Sequence, residues 1–333
     1  GSEMCIRDSV GNLFYTIPQA ELAAWLAGHS FADRVFFCNS GAESNEAAIK
    51  LARKIFQDRG EAERYRIVAM EQSFHGRTMG SLSATGQDKI KEGFYPVLEG
   101  FAFVPFDDIA ALRSAIDDTV CAVMLEPIQG EGGVICPSEG YLQAVRQVCD
   151  EAGALLILDE IQTGMGRTGK LFAHEHSGIA PDIMTLAKAL GNGLPIGAML
   201  ARESAARAFD AGAHGTTFGG TPLITAGALA VVRTLEAEGL VDQAAATGAY
   251  FREQLLALQA RHAVIEAVRG QGLLLGLKLA CEGAPIVDQC LERGFVINCI
   301  QGDVLRFAPP LIITAQEIDA LIECLDEILE RRL

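Results

Sequence analysis

The chain has 333 residues, half of them hydrophobic and 35 of them glycine, with 27 basic against 43 acidic side chains and a formal net charge of −16. That length accommodates one large α/β domain and a smaller one. So acidic a balance argues against nucleic acid or an anionic membrane as partner, although a small anionic ligand can still meet a locally positive pocket. No apolar run reaches bilayer length and no secretory signal is read, so the expected location is cytoplasmic. The nine cysteines are scattered without a Cys-x-x-Cys pair. Cys281, Cys290 and Cys299 recur at equal spacing, but on strand-like and helix-like segments that would not bring them together. All nine read as reduced, mostly small apolar fillers, and no metal site is expected.

Residues Gly1 to Ser9 show no periodicity and are expected to be a non-native remnant outside the fold. A helix is predicted from Pro18, with Leu22, Trp25 and Leu26 on one face and Trp25 in the core. The strand Arg34–Cys38 runs into Asn39-Ser40-Gly41-Ala42-Glu43. From Gly41 a helix is predicted to Arg59, with Glu43 and Glu46 in its first turns, Lys54 and Arg59 in its last, and Gly60 as its stop. A strand feeding a helix through Ser-Gly offers backbone N–H groups to a phosphate; the same pattern also makes an ordinary N-cap turn. A strand near Ile67–Met70 leads to the turn Ser73-Phe74-His75-Gly76-Arg77. Further strands read at Phe101–Val104 and Cys121–Leu125. The latter ends in Glu126-Pro127-Ile128-Gln129-Gly130-Glu131-Gly132-Gly133, a loop too glycine-rich for mere connection. A helix over Tyr141–Glu151 follows.

Leu155–Glu160 is a short apolar run ending in two acids, the pattern of a buried parallel strand emerging at a sheet's carboxyl edge. A second such run, Ile183–Ala187, is followed by Lys188 and the turn Gly191-Asn192-Gly193. A strand-end acid and a strand-end lysine on neighbouring strands can face the crevice where open α/β sheets bind ligands. A lysine in apolar surroundings there is a usable amine nucleophile, and an aspartate beside it keeps a pyridine nitrogen protonated. Asp159 and Lys188 therefore suggest pyridoxal 5'-phosphate, although strand-end Asp and Lys also occur in α/β proteins with no such role. Gly164–Lys170 fits the glycine spacing of a P-loop, but Leu171 stands where a magnesium-binding Ser or Thr is needed and the acidic strand precedes the loop.

Beyond Lys188 come a strand over Pro195–Ala201, the loop His214–Pro222 and a long apolar helix through Leu235. Strands alternate with helices up to this point, which predicts a mostly parallel sheet covered on both faces. From about Leu240 the pattern is α+β. A helix carrying Leu255, Leu256 and Leu258 precedes short strands at Gly272–Leu279, Phe295–Asn298 and Val304–Phe307, and an amphipathic helix covers Gln316–Glu330. The expected division is a non-native segment 1–9, a large cofactor-binding domain 10–240 and a small C-terminal domain 241–333.

Five stretches in this order, Asn39–Glu43, Ser73–Thr78, Glu126–Gly133, Leu158–Gly164 and Thr185–Lys188, resemble the class III aminotransferases of pyridoxal-phosphate fold type I. The similarity runs from Asn12 to Leu333. It implies a large domain with a mostly parallel seven-stranded sheet and a smaller α+β C-terminal domain. His75–Thr78 with Leu82–Gly86, and Gly215–Gly220, favour the acetylornithine/succinyldiaminopimelate branch. The reaction so implied moves the ω-amine of N-acetylornithine, or a related acylated diamino acid, to 2-oxoglutarate in arginine and lysine biosynthesis. Ornithine, succinylornithine and 4-aminobutyrate aminotransferases, a same-fold glutamate-semialdehyde aminomutase and a non-catalytic relic stand as alternatives.

Matched motif to motif, the resemblance implies Lys188 as the Schiff-base lysine and proton shuttle, and Asp159 as partner of the pyridinium nitrogen. It implies Gln162 on the phenolic oxygen, Ser40, Gly41 and Ala42 at the phosphate, Phe74 stacked on the ring and His75 beside it. Thr217 would reach the phosphate of a neighbouring subunit in a homodimer with shared active sites. Arg77, Thr216, Glu131 and Arg306 would bind substrate, with Glu131 masking Arg306 as a gate; a fixed structural salt bridge is the plainer alternative for that pair. Relatives usually have Asn where this chain has Thr221. They also carry several dozen further residues before the position of Asn12, so the chain is expected to be N-terminally truncated, with substrate binding and small-domain folding affected.

Overall fold

The apolar runs read from the sequence become strands because both of their faces find cover. In this computed structural model, which describes residues 14–331, the expectation for Gly1–Ser9 lies outside the described residues. The chain divides into two compact units. The first takes in the described residues up to 127, with 137–162 and 177–234. It holds seven strands, β1 Arg34–Cys38, β2 Arg66–Met70, β3 Phe101–Val104, β4 Val120–Leu125, β5 Leu155–Asp159, β6 Ile183–Leu186 and β7 Gly197–Ala201. Their order is β1-β7-β6-β5-β4-β2-β3. Only β7 runs against its neighbours. This is the mostly parallel seven-stranded sheet expected.

Successive strand residues point to opposite faces. Ile67, Met124 and Ile157 pack with Leu51, Ala52 and Ile55 of the helix Gly41–Asp58. Val68, Val123 and Leu156 pack with Leu142, Val145 and Val148 of the helix Tyr141–Ala152. With cover on both sides no polar alternation is needed, which is why these strands read as continuous apolar runs. The helix Ile17–Gly28 buries Leu22 and Leu26. Trp25, expected in the core, is only half-buried and stacks on His29 with ring centroids 4.2 Å apart.

The second unit comprises 128–136, 163–176 and the described residues from 235 on. Its sheet is antiparallel, β8 Ile265–Gln271, β9 Leu274–Leu279, β10 Asn298–Ile300 and β11 Val304–Phe307, in the order β10-β11-β9-β8. Leu275 and Leu277 pack against Phe251, Leu255 and Leu258 of the helix Leu240–Arg261 and Leu325 and Ile328 of the helix Ala315–Glu330. The latter starts on a capping box between Thr314 and Glu317.

Two segments expected in the large domain belong to this second unit. Ile128 and Val134 bury themselves among Leu274, Ile300 and Val304. The Leu273 N–H donates to Arg167 O at 2.9 Å, and the Arg167 guanidinium donates to Leu273 O and Pro309 O at 3.2 and 2.5 Å. The strand expected at Phe295–Asn298 lies later, because pairing with β11 begins at Asn298 opposite Arg306. Five of the eight described cysteines are buried as fillers, whereas Cys136 is exposed and Cys281 and Cys299 are intermediate.

Candidate active site

Parallel strands deliver their carboxyl ends to one edge of a sheet. At that edge of the first unit lies a cavity of about 370 Å³. It is lined by Asn39–Ala42 after β1, Phe74–Arg77 after β2, Glu126 after β4, Asp159, Ile161 and Gln162 after β5, and Ala187 and Lys188 after β6. Leu194–Ile196 complete it, entering β7 from the same edge because that strand runs the other way.

The helix Gly41–Asp58 starts at the cavity with Ser40 as its N-cap, whose Oγ accepts from the Glu43 N–H at 3.2 Å. Glu43 reaches back, accepting from the Asn39 backbone N–H at 2.7 Å and from Asn39 Nδ2 at 2.8 Å. The ordinary capping reading and the anion-binding one therefore coexist here. Ser40 and Glu43 serve the cap, while the amides of Gly41 and Ala42 belong to the first turn, where N–H groups have no intrahelical partner. Gly76 holds the neighbouring turn against this helix: its φ is 134°, and a Cβ on it would lie 2.4 Å from Ser81 Oγ and 2.9 Å from Ala42 Cβ. The buried carboxylate of Glu126 accepts from the Phe74 N–H at 2.9 Å, pinning the backbone that carries that ring. Arg77 is exposed, its guanidinium carbon 5.8 Å from the centroid of Phe74.

Asp159 ends β5 and is 3 % exposed. Its Oδ2 accepts from Asn45 Nδ2 and from His75 Nδ1, both at 2.8 Å, and its Oδ1 accepts from the Ile161 N–H at 3.1 Å. A carboxylate only accepts, so His75 carries its hydrogen on Nδ1; its buried Nε2 has no hydrogen-bond partner among the described residues. Lys188 follows β6 with φ 45°, and the N–H groups of Gly191 and Asn192 both close on its carbonyl at 3.1 Å. A left-handed non-glycine residue costs about 1–3 kcal/mol and persists only where its surroundings over-determine it. Lys188 is exposed at the cavity, which the apolar Ile161, Leu194 and Ile196 also line.

Nine expected residues thus share one cavity: Ser40, Gly41, Ala42, Phe74, His75, Arg77, Asp159, Gln162 and Lys188. Thr216 and Thr217 do not line it. Thr216 accepts from Asn39 Nδ2 at 3.0 Å, and Thr217 is exposed. Glu131 and Arg306 both belong to the second unit, where Arg306 Nη1 donates to Glu131 Oε1 at 2.5 Å. Sequence reasoning missed Asn45 and Thr185, which are fully buried beside Asp159. Their signal was present as a polar residue on the apolar face of a helix and another inside an apolar strand, where burial demands a partner.

The fold and this edge define a transaminase-type α/β enzyme, and the chain belongs to the aminotransferase class-III family, whose model matches residues 8–329. It is 51% identical over 319 residues to the acetylornithine aminotransferase of Caldanaerobacter subterraneus subsp. tengcongensis, covering 96% of this chain and 81% of that one. Identity to the acetylornithine aminotransferase of Methanocaldococcus jannaschii is also 51%, over 95% of this chain and 80% of the relative. Among solved structures, the N-acetylornithine aminotransferase of Stenotrophomonas maltophilia K279a superposes with a TM-score of 0.83 at 38% identity, over 97% of this chain and 82% of that one. The ornithine aminotransferase of Toxoplasma gondii ME49 gives 0.93 at 33%, over 99% and 81%.

Proposed function

We propose that this aminotransferase uses pyridoxal 5'-phosphate to move the ω-amine of N-acetylornithine, or a related acylated diamino acid, to 2-oxoglutarate. One observation carries the cofactor assignment: the buried Asp159 and the strained Lys188 share a cavity with the open amides of a long helix. That donor set fits the group. Asp159 would meet the ring nitrogen, the Gly41 and Ala42 amides the phosphate, Phe74 the ring face and Gln162 the phenolic oxygen. When bound, the cofactor supplies an aldehyde that captures an amine and a ring that withdraws electrons from the carbon bearing it.

The remaining work is done by the chain. Lys188 Nζ would hold the cofactor covalently and would move the proton at the amine-bearing carbon. Arg77, exposed at the cavity, offers a planar fork for the α-carboxylate of the donor. Thr216, fixed by Asn39, is assigned to substrate contact as well. In the second unit, Arg306 is assigned the carboxylate of 2-oxoglutarate, masked by Glu131 until that substrate arrives. Support for the acylated donor comes from the acetylornithine aminotransferases to which the chain is similar.

Borohydride reduction of the yellow holoenzyme should bleach it and leave the adduct on Lys188. Amine transfer to 2-oxoglutarate should be fastest from N-acetylornithine in a panel with ornithine, succinylornithine and 4-aminobutyrate. An adduct on Lys170 or another lysine would overturn the cofactor assignment. Turnover of glutamate semialdehyde without 2-oxoglutarate would identify an aminomutase instead.

A further inference from the structure

Asp159 is held from the side away from the cavity by a residue with no part in the reading above. Asn45 lies within the helix Gly41–Asp58 and is fully buried. Both hydrogens of its Nδ2 are used, one on Asp159 Oδ2 at 2.8 Å and one on His75 O at 2.6 Å. Its Oδ1 accepts from Thr185 Oγ1 at 2.8 Å, and Thr185 is itself fully buried in β6. The amide therefore has one orientation. Turned over, it would set its oxygen against two acceptors and its NH₂ against the hydroxyl hydrogen.

With Asn45 and His75 on Oδ2 and the Ile161 N–H on Oδ1, three of the four acceptor positions of Asp159 are filled by fixed donors. The position left is on Oδ1, and Asp159 lines the cavity. We propose that Asn45, its amide locked by the Thr185 hydroxyl, is a positioning residue that aims the remaining lone pair of Asp159 at the ring nitrogen of the cofactor. The hydroxyl fixes the amide, the amide fixes the carboxylate, and the carboxylate fixes the ring. Four separate stretches of chain, the helix Gly41–Asp58, the 73–77 turn, β5 and β6, thereby meet at one amide group. This rests on the reading of Asp159 as partner of the ring nitrogen.

The test loads holoenzyme variants with pyridoxal phosphate labelled with ¹⁵N in the ring, and reads the ring ¹⁵N shift and the cofactor dissociation constant. Asp159→Ala sets the reference displacement of the signal. Asn45→Ala should move the signal part-way to that value and weaken retention about tenfold, the equivalent of one hydrogen bond to a charged group. Thr185→Val should act in the same direction and Thr185→Ser, which keeps the hydroxyl, should restore both readouts. The Thr185 pair decides the matter if Asn45→Ala does not fold. Indistinguishable Thr185→Val and Thr185→Ser enzymes, or a wild-type signal in Asn45→Ala, would overturn the proposal while leaving Asp159 in its role. An unmoved signal in Asp159→Ala would overturn the underlying reading instead.

Discussion

Glu131 sits in a loop that contacts of its backbone and of neighbouring residues also hold, so its side chain can be removed with the loop still tied. The loop is tied by the Gln129–Ile135 bridge, by Val134 in the core and by Gln301 Nε2, which donates to the backbone oxygen of Glu131 at 2.7 Å. What Glu131→Ala removes is the carboxylate that accepts from Arg306 Nη1 at 2.5 Å, between side chains 31 % and 16 % exposed. A hydrogen bond between charged groups is worth about 1.5–3 kcal/mol, and solvent-exposed pairs about 0.2–1 kcal/mol. A partly buried pair belongs between these, at about 1.5 kcal/mol, which keeps Arg306 masked about ten times as often as open. If the pair is a gate, a carboxylate that needs Arg306 loses the same factor in apparent affinity, and deleting Glu131 returns it. Single-turnover kinetics should then show the half-reaction with glutamate about tenfold faster at subsaturating concentration in Glu131→Ala, with little change for the ω-amine donor. Arg306→Ala should slow the 2-oxoglutarate half-reaction about a hundredfold, equivalent to roughly 3 kcal/mol of charge-assisted contact, and spare the other. Equal losses in both half-reactions for both variants would reduce the pair to a fixed structural bridge and refute the gate.

If Thr217 completes the phosphate site of a second subunit, dilution of the holoenzyme to monomer should release cofactor, and full occupancy in a sedimenting monomer would refute the sharing. Asp182→Ala strands the Leu156 N–H and takes one of two carboxylates from Arg146; these donate to Asp182 at 2.8 and 2.7 Å, and Arg146 keeps Asp150. The substitution should cost about 1–3 kcal/mol in urea unfolding. Burial pushes the thiols of Cys38, Cys121 and Cys149 up to about 12. Only the thiolate reacts, so iodoacetamide at pH 8 should leave these three unlabelled in the folded protein and label them in denaturant. Their contribution to stability is present below the ordinary thiol pKa near 9 and is lost between about 9 and 12, because the unfolded thiols ionise first.

The inner strands of the first unit were legible because burial on both faces writes them as unbroken apolar runs, as in Val120–Leu125 and Ile183–Leu186; the partly buried edge strands Arg34–Cys38 and Phe101–Val104 match residue for residue. The same rule explains the misses. Strand β8, with Glu266, Arg269 and Gly270 among its residues, is covered unevenly and carries no such run. The short helices Met79–Ala84 and Ile109–Ala115 lack the length for a clear period. That 128–136 and 163–176 join the second unit follows from where Val134 and Arg167 find their partners, more than a hundred residues later. The cavity residues were legible as strand ends followed by glycine, acid or lysine. Asn45 and Thr185 showed only as polar residues on apolar faces; their partners were not legible, because these stand 114 and 140 residues away and only the folded sheet brings them together.

The two groups that define the cavity differ in how they are held, and the proposed chemistry requires that difference. Asp159 is 3 % exposed and receives three N–H donors, from the helix Gly41–Asp58, the 73–77 turn and Ile161, so rotating its carboxylate would break bonds to fixed, largely buried donors. Such a group suits a stationary task, holding one ring nitrogen in one direction through both halves of the reaction. Lys188 has its backbone set by the turn that closes on its carbonyl, and the residue is exposed at the cavity. A left-handed φ at its base sets the direction in which the side chain leaves the strand end. The amine can therefore leave one atom and reach another while its Cα stays where the strand has placed it. Transposing the two would fail on both counts: a lysine in the Asp159 position would be an unpaired buried charge, and an aspartate on the Lys188 turn would have no amine to offer the cofactor.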